Sequence, residues 1–389
     1  MSSAQLTNDR LLVWIFTATI FVNAALLFAV QPMFSRMVLP LFGGSPAVWT
    51  TCMLFFQTVL LAGYFYAHVA PRWLGLQKQA LVHIGLLLLS LLTLPIVIHA
   101  SWTPASHENP VAALLVLLTV SLGIPFFLLS SGSPLLQKWF SRTGHSAASN
   151  PYFLYAASNL GSMIALLAYP ALMEPRLRLV EQSAFWTRGY LMLALLMTAC
   201  VILLRRAVTP RRSDQSEMSA LREPPLEPTA TAIAPAQRLR WVALAFVPSS
   251  LLLGVTTFLT TDIAAVPMLW IIPLALYLLT FVIVFARRQL FSQRLILRIQ
   301  PYLLLPLVIN MSVGIRAWPG IFLPVHLAAF FVAALVCHGE LARTRPHVQH
   351  LTEFYLWISV GGMLGGVFNV IVAPLIFHTV AEYPMALAF

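Results

Sequence analysis

Eleven apolar runs of near bilayer-crossing length dominate this sequence. They cover about 11–31, 46–69, 80–99, 110–131, 151–173, 187–204, 241–261, 267–286, 296–314, 319–337 and 353–377. A helix needs roughly 20 such residues to cross about 30 Å of hydrocarbon. Lipid offers no partner for a backbone amide, so each run must satisfy its own amides as a helix. Composition points the same way, with 59% hydrophobic and only 9% charged residues, where soluble domains carry about 25% charged. A water-soluble enzyme, a disordered chain and a disulfide scaffold are excluded together. The expected fold is an all-α polytopic integral membrane protein of eleven helices and the opening of a twelfth, from Glu382-Tyr383-Pro384, with the chain truncated in that last helix.

Local punctuation supports these runs. Ser45-Pro46, Asn109-Pro110 and Asn150-Pro151 each set a capping side chain before a proline, and Pro319 opens the tenth run. The cap accepts from an orphan amide, and proline has none to orphan. Trp14, Trp49, Trp73, Trp102, Trp139, Trp186, Trp241 and Trp318 lie near run ends, where an interfacial aromatic belt is expected. Leu11 to Val30 exceeds the apolar length of a secretory signal, so the first run reads as a span. Cys52, Cys200 and Cys337 form no CxxC pair and read as packing residues.

The formal net charge is +11. The basic residues sit in short gaps between runs, a pattern of membrane topology and not of nucleic-acid binding. With the N-terminus in the cytoplasm, 18 of the 23 Lys and Arg fall on the inner side, seven of them Arg residues in 205–240. That segment also holds Pro224, Pro225, Pro228 and Pro235, and it reads as a flexible cytoplasmic linker. It separates an N-terminal six-helix half, 1–204, from a C-terminal half, 241–389. A shift of 201 residues lays the fifth run on the eleventh, pairing Phe153 with Phe354, Ser158 with Ser359 and Gly161 with Gly362. Two matched six-helix halves resemble the parallel-repeat plan of major facilitator transporters.

Polar side chains deep in a span are costly and mark function or interhelical glue. Asn23, Gln57, Asn159 and Asn369 are the substrate-binding candidates, because neutral amides can hydrogen-bond a polar solute. Gln31 and Arg36 read as interfacial. Asp262, after Thr256, Thr257, Thr260 and Thr261, either caps a short helix or binds a coupling ion, and Glu353 is the second ion-coupling candidate. His338, Glu340 and Arg343 sit together near the end of the tenth run; His338-x-Glu340 resembles half a zinc-deaminase motif, but the Pro-Cys-x-x-Cys partner is missing. A charged clasp with Arg345 and Glu353 is the expected arrangement there. His68 and His83 flank one short loop and are expected at the interface. No Walker A or GxSxG motif occurs. No catalytic residue, metal or cofactor is expected.

Val30-Gln31-Pro32 through Leu39-Pro40-Leu41-Phe42-Gly43-Gly44-Ser45-Pro46-Ala47-Val48-Trp49, then Cys52 to Gln57, resembles the membrane region of bacterial spermidine-synthase-like proteins, often called fused major facilitator/spermidine synthases. Asn150 to Gly161, Thr260 to Pro267, His338 to Arg343 and Phe354 to Asn369 are similar too. The resemblance implies a multi-pass protein of the bacterial inner membrane. In many members a cytosolic aminopropyltransferase-like domain follows, and the sequence stops before one. Two functions are then expected in competition. One is a transporter-like module moving a small polar or cationic solute, polyamine-like by the resemblance. The other is a membrane anchor for an aminopropyltransferase-like cytosolic partner.

Overall fold

A computed structural model of the chain describes residues 3–43, 46–98, 110–208, 233–259, 269–286, 292–313 and 319–377. Eleven principal helices follow the eleven apolar runs: α1 Ser3–Phe42, α2 Pro46–Leu74, α3 Leu76–Ser90, α4 Pro110–Phe140, α5 Phe153–Ala168, α6 Leu179–Val208, α7 Pro235–Phe258, α8 Ile271–Phe285, α9 Gln293–Val313, α10 Pro319–Arg343 and α11 Leu351–Val367. Among the described residues, nine helical segments are long and apolar enough to cross a bilayer. Pro46, Pro110 and Pro319 open their helices as expected, whereas α5 waits two residues beyond Pro151. The segment read as a linker is helical at both ends, since α6 runs to Val208 and α7 begins at Pro235. The expected twelfth helix lies outside the described residues.

Helix pairing repeats after a step of six. α1 packs on α5 as α7 packs on α11, and α2 packs on α4 as α8 packs on α10. α1 meets α4 as α7 meets α10. Among the described residues the most extensive packing between the halves is α5 on α8 and α11 on α2, which the same step interchanges, and α11 also meets α4. Lipid tails are as apolar as leucine, so close packing and hydrogen bonds, not burial from water, hold such helices together. The close approaches fall at glycine. A methyl group on Gly161 would sit 2.5 Å from the carbonyl oxygen of Phe21 on α1. One on Gly361 would collide with the carbonyl oxygen of Val242 on α7. A methyl on Gly362 meets nothing. The packing counterpart of Gly161 is therefore Gly361, one residue from the alignment that sequence identity suggests.

α5 and α11 also end alike. Each passes into a π-helical turn, Tyr169–Met173 and Phe368–Val372, and then a short α segment. Pro170 and Pro374 lie at these breaks and withhold an amide from the ladder, which resets by widening one turn.

The aromatic belt is smaller than expected. Trp14 and Trp73 are 71% and 84% exposed, but Trp139, Trp186 and Trp241 are buried. Trp186 donates to the carbonyl of Leu26 at 2.9 Å and Trp139 to Gln79 Oε1 at 3.1 Å. These two indoles are interhelical donors. Trp102 and Trp318 lie outside the described residues.

Candidate functional site

A cavity of about 170 Å³ lies where the two halves face each other. Its walls come from α1, α2, α4 and α5 on one side and α7, α8 and α11 on the other. Its polar groups are amides and hydroxyls: Asn23, Gln31, Gln57 and Asn159, serines on α4, α5, α7 and α11, and the phenols Tyr64, Tyr155 and Tyr277. Phe28, Phe56, Phe126 and Phe281 supply apolar faces. Among the described residues, no Asp, Glu, Lys, Arg or His lines it.

The amides are held in defined poses. Asn23, 1% exposed, donates Nδ2–H to the carbonyl of Leu129 at 3.0 Å, while its Oδ1 has no hydrogen-bond donor. That oxygen rests against Gly132 of α4, where a side chain would displace it. Gln57 does the same across the seam, its Oε1 lying against Gly366 of α11 with no donor. Ser359 Oγ on α11 is the third unpartnered buried polar atom in the lining. Asn159 donates to the carbonyl of Tyr155 one turn back at 2.8 Å.

Aromatic clusters lie along the same helices toward either end of the lining. On the side of the α2 and α8 N-termini, Trp49 and Trp270 stack with centroids 3.9 Å apart. On the other side, Tyr155 and Tyr355 lie 4.7 Å apart, with Phe281 and Phe285 edge-on to Tyr155. A hydrogen-bonded chain runs inward from this cluster. Tyr355 donates to Gln137, Gln137 donates to the carbonyl of Ser133 at 3.3 Å, and Ser133 Oγ meets Ser158 Oγ at 3.2 Å.

Three of the four amides expected at a substrate site, Asn23, Gln57 and Asn159, thus meet in one cavity. Asn369 does not line it. In the π turn after α11, its Nδ2 donates to Ser250 Oγ at 2.8 Å and to the carbonyl of Gly365 at 2.9 Å, so it is glue between α11 and α7. Glu353 lies outside the cavity as well, paired with Arg238 at 2.8 Å and with His350 at 3.1 Å. Asp262 lies outside the described residues.

The expected clasp exists with different partners. Arg238 and Arg240, from the first turns of α7, hold Glu353 and Glu340, the latter at 2.6 Å. Arg345 instead lies over the ring of Tyr152, 5.1 Å from its centroid. His338 takes no part in the clasp. It is buried, bonded to Thr280 at 2.6 Å and stacked on Phe281. His83 is buried between Tyr66 and Trp139 and not interfacial, and His68, half-buried, meets Thr352 Oγ1 at 3.0 Å. Gln31, read as interfacial, is 6% exposed and lines the cavity, while Arg36 pairs with Glu174 at the opposite end from the clasp. The tyrosines and serines of the lining carried no sequence signal, because hydroxyls are common in spans.

No family model matches the chain, and no curated protein sequence is significantly similar to it. Solved structures are similar over nearly the whole length. A bacterial homologue of the iron transporter ferroportin, outward-facing, covers 96% of this chain and 95% of its own, with TM-score 0.58 and 14% identity. The xylose transporter XylE from E. coli, inward open, covers 96% and 94%, with TM-score 0.55 and 13% identity. A peptide transporter, POT, in complex with sulfate covers 96% and 91%, with TM-score 0.55 and 15% identity. The chain shares the all-α, major-facilitator-like fold of these structures.

Proposed function

We propose that this protein moves a small, polar, hydrogen-bond-donating solute across the membrane by alternating access of its two halves around the central cavity. The observation that carries the reading is the pair of buried acceptors, Asn23 Oδ1 on α1 and Gln57 Oε1 on α2, both in the lining and both without a donor. A buried acceptor left unpaired costs about 1–3 kcal/mol, which a hydroxyl or N–H of the cargo recovers. Amides, hydroxyls and aromatic faces suit a neutral or singly charged solute. A polyamine, suggested by the family resemblance, carries several positive charges, and no carboxylate among the described lining residues meets them.

The reading takes the N-terminus and residues 205–240 as cytoplasmic, from the distribution of basic residues, in a bacterial cell, as the family resemblance implies. It also takes 1–204 and 241–389 as the moving halves.

Uptake by purified protein in proteoliposomes tests this, with labelled polyols and small amides against spermidine and putrescine. Uptake of a neutral solute that falls tenfold or more in Asn23→Leu supports it. Exclusive uptake of polyamines overturns the cargo class. Failure to move any solute, together with co-purification of a soluble transferase, favours the anchor function.

A further inference from the structure

A second cavity, of about 840 Å³, opens at the clasp end of the bundle. Its walls are the end of α2, the turn into α3, the end of α4 and the start of α11. Arg72, Lys78, Lys138 and Arg142 line it, with no Asp or Glu among the described lining residues. None of the four cations forms an ion pair among the described residues. The backbone builds the cluster. Gly75 alone joins α2 to α3, with φ of +72°, a left-handed conformation that glycine adopts freely. That one-residue reversal turns Arg72 and Lys78 into the same cleft.

Like charges gathered in one concavity repel, and the repulsion grows as the local dielectric falls below that of water. An anion in the cleft reverses the sign of this energy. The rim indicates which anion. Trp73 is 84% exposed and Leu74 41% exposed, directly beside Arg72. An exposed indole next to basic groups suits the headgroup layer of a bilayer, whereas a site for free phosphate needs no apolar rim.

We propose that this cleft binds the phosphate headgroup of an anionic phospholipid from the leaflet on that side. The cations come from the first half, while Gln349 and Thr352 on the same cleft come from the second. The bound lipid therefore ties the halves together at this end. The site is separate from the central cavity, and the proposal does not depend on the cargo.

The test is native mass spectrometry and thermal unfolding of the full chain in a neutral detergent. Phosphatidylglycerol, phosphatidylcholine and inorganic phosphate are added in parallel. Phosphatidylglycerol should be retained and raise Tm by several degrees, and the other two should not. Arg72→Gln with Lys138→Gln should weaken its binding at least tenfold, while Arg72→Lys with Lys138→Arg should keep it. Single Lys78→Gln and Arg142→Gln, at exposed positions, should each weaken it severalfold. Equal stabilisation by phosphatidylcholine, or unchanged affinity in the glutamine variants, overturns the proposal. Stabilisation by inorganic phosphate equal to that by phosphatidylglycerol overturns the lipid as occupant.

Discussion

Tyr355 of α11 donates its hydroxyl hydrogen to Oε1 of Gln137 on α4 over 2.7 Å. The bond crosses between the halves and heads the polar chain that reaches the cavity wall at Ser158. Breaking it should favour separation at this end. A buried hydrogen bond contributes about 1 kcal/mol net, so Tyr355→Phe should raise the population open on this side by about fivefold. Spin labels at Gln77→Cys and Gln349→Cys, in a background without the native cysteines, report the separation by pulsed electron spin resonance. An unchanged distance distribution would show that the bond does not bias the halves.

Glycine register gives a second prediction. A methyl group at Gly361 meets the α7 backbone, and one at Gly366 meets Gln57 Oε1. Overpacking of this kind costs about 1–3 kcal/mol. Gly361→Ala should therefore lower Tm by several degrees, Gly366→Ala should lower it less because the end of the Gln57 side chain can swing aside, and Gly362→Ala should leave Tm within error. If Gly362→Ala proves the most damaging, the packing equivalence between α5 and α11 is wrong.

The contrast between Gly361 and Gly362 shows what the sequence could and could not reveal. The all-helical class and the order of the helices are legible because each depends only on where apolar runs begin and end. Which face of a span points inward is another matter. A helix in lipid has apolar residues on both faces, so the amphipathic signal that orients a soluble helix is missing. That is why Trp139 and Trp186 read as belt residues and Gln31 as interfacial, though all three are buried. The same blindness hides the register at Gly361. Asn23, Gln57 and Asn159 stand out in the sequence as mid-span amides, and all three line the cavity. Asn369 stood out equally, yet it bonds Ser250 and Gly365 and does not line the cavity. Polarity marks a contact without saying whether its partner is solute or helix.

The two unpartnered amide oxygens should act together on cargo. Each bond to a donor on the solute contributes about 1 kcal/mol or more, so Asn23→Leu and Gln57→Leu should each weaken binding by roughly tenfold. Asn369→Leu should lower stability and leave KM unchanged, because its partners belong to the protein. Uptake kinetics and thermal unfolding on the same three variants separate these outcomes. A KM change in Asn369→Leu equal to that in Asn23→Leu would return Asn369 to the substrate site.

The carboxylates divide in the same manner. Glu353 is held by Arg238 and His350 outside the cavity, its side chain 10% exposed. Glu353→Gln leaves the Arg238 guanidinium without its counter-charge, and loss of a partly buried partner costs about 2 kcal/mol. Tm should drop by several degrees, with the pH profile of uptake unchanged. Asp262→Asn is the companion measurement. If a carboxylate couples transport to protons, that substitution should flatten the pH profile with Tm preserved. A pH profile altered by Glu353→Gln and untouched by Asp262→Asn would exchange the two roles, making the clasp itself the coupling site.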